Sequence, residues 1–111
     1  MKRVSLLDVL AGLSVSPDPF TVALLQGVDA DRGRVDELVS AAAVGWEIGR
    51  MPVVDRTILR LATWELLARP DVPVAVVIDE AVELVKTYST DDSGSFVNGI
   101  LSTIAAEVRP G

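Results

Sequence analysis

The chain has 111 residues, half of them hydrophobic, and carries 16 acidic against 10 basic side chains for a net charge of −6. That length and a mean hydropathy of +0.41 predict one globular domain over 1–111 and exclude a disordered chain. Cysteine and histidine are both missing, which excludes a disulfide framework, thiol catalysis and the commonest general base and zinc ligands.

In chain order, the opening places Lys2 and Arg3 ahead of an apolar stretch, as a signal peptide does, but Asp8 interrupts that stretch. Val4, Leu7, Leu10 and Ala11 instead share one face of an amphipathic helix over 4–12. After a turn at 14–17, Asp18 and Pro19 supply an N-cap and a first helical residue, opening a helix to about 28 with Phe20, Ala23, Leu24 and Gly27 inward. Asp31 opens a third helix, in which Val35, Leu38, Val39, Ala42 and Trp46 recur at helical spacing until Pro52 breaks the run.

The central helix is predicted over 53–68. Val54, Ile58, Leu61, Ala62 and Leu66 fall within one arc, and Glu65 falls there too. A carboxylate on an apolar face needs a partner, either an arginine or an exposed helix N-terminus. The opposite side carries Arg56, Arg60, Thr63 and Trp64, a polar face with one large ring that suits a partner surface. Asp71 and Pro73 open a fifth helix to about Tyr88, with Val74, Ile78, Ala81, Val82 and Val85 as its core stripe. The run S-T-D-D-S-G-S reads as a loop in which Ser93 or Ser95 caps the last helix. Phe96, Val97, Ile100, Leu101, Ile104 and Val108 form that helix's buried arc, Asn98 lies at its edge, and the terminal R-P-G reads as a frayed tail. Short connections and the lack of strand signals predict an all-α, compact helical bundle.

Catalysis finds no support in this pattern. Asp79 and Glu80, adjacent on a helix, diverge by about 100° and do not converge on one site. Asp91 and Asp92 lack the alternating oxygen spacing of a calcium loop and suit capping or solvated roles. No glycine-rich phosphate loop is present, and no apolar run approaches the roughly 18 residues needed to span a bilayer. Neither an enzyme, a cofactor, a metal nor a membrane partner is expected, and the composition is compatible with a cytoplasmic protein.

Between Trp46 and Leu101 four blocks follow one another: R-M-P-V-V-D-R-x-I-L-R, W-E-L, I-D-E-A-V-E-L and F-V-N-G-I-L. In order and spacing they resemble the C-terminal half of the NusB family of bacterial transcription antitermination factors. The resemblance implies an all-helical protein that binds boxA-type RNA together with NusE, a small-subunit ribosomal protein, alongside other Nus factors and RNA polymerase. It implies that the start of the central helix, with Asp55 and Arg56, faces NusE. Arg60, Lys86 and Tyr88 would lie near RNA, and Asp92 occupies a loop position that influences RNA affinity in the family. The chemistry agrees: Arg60 and Lys86 can contact phosphate, and Tyr88 can stack on a base. Each also has a structural reading, with Arg60 paired to an acidic neighbour and Tyr88 filling core. Trp46, Phe96 and Val97 are assigned to packing.

The N-terminal third departs from the resemblance, because Lys2 and Arg3 are the only basic residues before Arg32. The family opens on an arginine-rich helix that contacts RNA, and Val4 to Val28 resembles the family's next segment, after that helix. The expectation is a NusB domain without its first helix, binding RNA weakly alone and exposing an apolar groove that a second copy would cover as a homodimer. Two alternatives stand beside it: an accessory domain related to the RNA-binding domain of ribosomal RNA cytosine methyltransferases, and a protein-interaction module without RNA binding.

Overall fold

Two prolines, one glycine and one threonine divide the second part of the chain into helices. The computed structural model of the protein describes residues 30–110, the side chain of Asp91 excepted; the helices expected over 4–12 and 19–28 lie outside that range. Within it run α1 (Arg32–Ala42), a single 3-10 turn (Ile48–Arg50), α2 (Val53–Ala68), α3 (Val74–Tyr88) and α4 (Asp91–Val108), and no strand occurs among the described residues.

Each boundary has a local cause. Pro52 and Pro73 sit at the N-caps of α2 and α3 in extended backbone, where a missing N–H costs nothing. Gly45, at φ +80°, takes the left-handed conformation that a side chain would resist, and the chain turns there. That turn corrects the expected extent of the third helix: α1 stops at Ala42, and Trp46 lies beyond it, packed at a tilt against Phe96 of α4 with ring centroids 4.0 Å apart. Thr90, not Ser93 or Ser95, caps α4, its hydroxyl accepting from the Ser93 backbone N–H at 3.3 Å. Most of the expected loop is therefore the first turn of α4, because Thr90 offers a hydroxyl three residues ahead of the group it satisfies.

α2 is the central element. It packs against α1, α3 and α4, while α3 lies against both α2 and α4. Ile58, Leu59, Leu61, Ala62 and Leu66 of α2 meet Val77, Ala81, Leu84 and Val85 of α3, Val97, Leu101 and Ile104 of α4, and Val35 and Val39 of α1 in one buried cluster. Burying each large aliphatic side chain contributes about 1.5–3 kcal/mol, so this cluster is what holds the bundle together. The arc foreseen for α2 is buried, Glu65 included, with Val54 half-buried. In α3 the stripe is rotated: Val77 and Leu84 are buried, whereas Val74 and Val82 are half-buried, because α3 wedges between two helices.

α2 and α4 run in the same sense. Their first turns meet where Asp55 reaches Ser93, and their ends meet where Arg109 reaches Leu66. Charge is matched to helix polarity at both ends, a carboxylate at the N-termini and a guanidinium at the C-termini.

Candidate nucleic-acid interface

The residues expected to form a site separate into three groups. Lys86, Tyr88 and Asp92 belong to the turn joining α3 to α4: Lys86 is in the last turn of α3, Tyr88 ends it, and Asp92 is in the first turn of α4. All three are exposed, Tyr88 at 55%. An exposed tyrosine on a helix end is an apolar face offered to solvent, with a cation two residues away. The lysine's position is set by a glycine: a Cβ at Gly94, which is buried, would stand 2.9 Å from Lys86 Cε and 3.1 Å from its Cγ. The aliphatic stem thus lies across the α4 backbone.

Asp55 lies beneath this turn. It is completely buried, so within the described residues it offers no side-chain surface to a protein partner, in contrast to the expected outward role. Its Oδ2 accepts from Ser93 Oγ at 2.7 Å. Ser93 Oγ also lies 3.2 Å from Ser89 Oγ and 3.0 Å from Thr90 Oγ1. A hydroxyl has one proton and two lone pairs, so with that proton given to Asp55, Ser89 and Thr90 both donate to Ser93. Asp55 sits in the first turn of α2 and against the first turn of α4, and the positive ends of both helices offset part of the cost of burying its charge. Its Oδ1 has no hydrogen-bond partner among the described residues, which costs about 1–3 kcal/mol. Arg56, beside it, is half-buried.

Arg60 is elsewhere. Its Nε and Nη2 donate to Asp36 Oδ1 and Oδ2 at 2.7 and 3.0 Å, a bidentate pair between α2 and α1. Trp64 Nε1 donates to Asp31 Oδ2 at 3.3 Å, and Thr63 is fully buried. The part of the expected partner face around Arg60 therefore packs against α1, and Trp64 bonds to the residue that precedes it, while Arg56 at the start of α2 stays half-buried. Asp31, expected to open this helix, sits at the N-cap of α1, where its side chain makes no capping bond and reaches α2 instead.

The least anticipated residue is Arg109, which the sequence places in a frayed tail. Its Nε donates to Leu66 O at 2.9 Å, its Nη2 to Glu65 O at 3.1 Å and Arg69 O at 2.6 Å, and its Nη1 to Val72 O. It satisfies the last carbonyls of α2 and the turn after them. A basic residue in the last turn normally suggests a cap for its own helix; here it caps a neighbour, which spacing along one helix does not reveal. Asp36 was equally silent, since nothing local marks it as a partner for a residue 24 positions away.

Among the described residues no group of three or more acidic side chains could hold a metal ion, and no helix is long and apolar enough to cross a membrane. The described residues thus define an all-α helical bundle with an exposed aromatic and cationic helix end. The chain belongs to the NusB family, whose model matches residues 4–106. The match extends through the N-terminal third, where the sequence departs from the arginine-rich opening. Its relatives include transcription antitermination proteins NusB of Saccharopolyspora erythraea, 56% identical over 87% of this chain and 70% of the relative, and of Streptomyces avermitilis, 54% identical over 82% and 62%. A third, from Beutenbergia cavernae, is 53% identical over 77% of this chain, which spans 56% of that relative's length. The structure of T. maritima NusB superposes with a TM-score of 0.78 at 42% identity, covering 86% of this chain and 70% of that one.

Proposed function

We propose that this protein acts in transcription antitermination in the bacterial cytoplasm, binding boxA-type RNA jointly with NusE, in company with other Nus factors and RNA polymerase. The observation that carries the RNA reading is that Lys86 and Tyr88 are both exposed in the last turn of α3, one able to contact phosphate and the other to stack on a base. Asp92 on the same turn tunes affinity by repelling phosphate, and its removal tightens binding. Family membership and the names of the relatives support the same direction.

NusE docks at the start of α2 through Arg56, with Asp55 acting from beneath. Arg60 contributes by holding α1 on α2, because direct contact with phosphate would require breaking its bidentate pair with Asp36. A net charge of −6 disfavours autonomous RNA binding, so the isolated chain binds weakly and gains affinity from NusE.

The test is a titration of a fluorescent single-stranded boxA oligonucleotide with the protein, with and without purified NusE, at physiological salt. The expected result is weak binding alone and tight, sequence-dependent binding with NusE. Equal affinity for boxA and scrambled RNA in both conditions would overturn the reading and favour a protein-interaction module.

A further inference from the structure

We propose that Ser93 is a positioning residue that couples the protein-facing start of α2 to the RNA-facing turn between α3 and α4. The inference rests on the function proposed above and adds to it the physical link between its two surfaces.

Ser93 is the one described residue whose side chain is hydrogen-bonded to all three elements that meet there: Asp55 of α2, Ser89 just after α3, and Thr90, the cap of α4. Asp55 sets the direction of the whole network. Because the Ser93 proton is committed to Oδ2, the Ser89 and Thr90 hydroxyls must point inward at Ser93 Oγ. Take that acceptor away and the three hydroxyls are free to reorient, and the turn loses its reference point.

Asp55 is fully buried, and among the described residues Ser93 Oγ is the donor that anchors its carboxylate. A partner that engages Arg56 and rotates the first turn of α2 carries the adjacent carboxylate with it. Ser93 follows its proton acceptor. Gly94 is the next residue, and the Lys86 stem rests on it, so a shift of the first turn of α4 redirects the lysine as well. Tyr88 adjoins Ser89, which is bonded to the same hub. Binding at one surface thereby changes the free energy of binding at the other, and the effect is reciprocal.

The experiment measures the ratio of boxA oligonucleotide affinities with and without saturating NusE, for the unmodified protein, Ser93→Ala and Ser93→Cys. Circular dichroism melts identify which variants are folded; Ser93→Cys nearly preserves side-chain volume while weakening the donor, and serves where Ser93→Ala does not fold. The unmodified protein is expected to show a ratio in the usual range for coupled sites, about 5- to 150-fold, and the folded variants a ratio falling toward one. A purely structural role would lower the melting temperature and leave the ratio intact, and that outcome overturns the proposal. A ratio of one in the unmodified protein overturns it too, while leaving RNA binding standing. Absence of boxA binding under every condition removes the functional reading itself.

Discussion

The two ends of the bundle solve opposite problems with opposite charges. At the end where α2 and α4 finish, Arg109 gives four N–H···O contacts to backbone carbonyls, all from one side chain. At the end where the same helices begin, Asp55 receives one hydroxyl, that of Ser93, among the described residues. Both arrangements follow helix polarity. The end held by four contacts from one side chain is chiefly structural, whereas the end held through one serine carries the exposed side chains suited to binding. The exposed Tyr88, Lys86 and Asp92 all lie at the second end.

That contrast can be broken by substitution. Arg109→Ala should have the largest effect on folding. It leaves helix-end carbonyls without their donor, at about 2–4 kcal/mol, read as a lower midpoint in urea, with RNA affinity changed little once the protein is folded. Tyr88→Ala should show the reverse pattern. Loss of a stacking ring costs about 1–3 kcal/mol of RNA binding, whereas the melting temperature should stay close to that of the unmodified protein because the ring is exposed. Equal stability losses in the two variants would erase the distinction.

Arg60→Ala falls between them. It breaks the pair with Asp36 and should cost about 1–2 kcal/mol of stability, with hydrogen exchange rising first in α1. If RNA affinity drops instead while α1 remains protected, Arg60 contacts RNA directly. Gly94→Ala should be the mildest. Alanine gains up to about 1 kcal/mol in helix propensity, which offsets the displacement of a flexible lysine stem, so stability stays near level while Lys86 is pushed off its seat. RNA affinity and the steepness of its salt dependence should both fall slightly.

The sequence was most legible where information is periodic. The bounds of α2 and the buried arcs of α2 and α4 follow from residues spaced three and four apart, and Pro52 and Pro73 mark two starts. Less legible were contacts between residues far apart in the chain. Arg60 left two readings open, since a guanidinium suits phosphate and carboxylate equally well; its pair with Asp36 on α1 is visible only in the fold. Arg109 looked like a tail because its partners lie some 40 residues away. Asp55 and Ser93 carried capping and partner-facing expectations, but the fold turns both inward toward each other. Tyr88 likewise left stacking and core filling both open; the fold leaves it exposed at the end of α3, past the last core residue, Val85.

The most direct test of the division between the two ends is the boxA affinity, in the presence of NusE, of the double variant Lys86→Ala with Tyr88→Ala, measured beside Arg109→Ala at a temperature where both are folded. The account predicts that the double variant loses at least about fivefold in affinity, the loss of stacking alone being worth that much, while Arg109→Ala binds as the unmodified protein does. Undiminished binding by the double variant would contradict it.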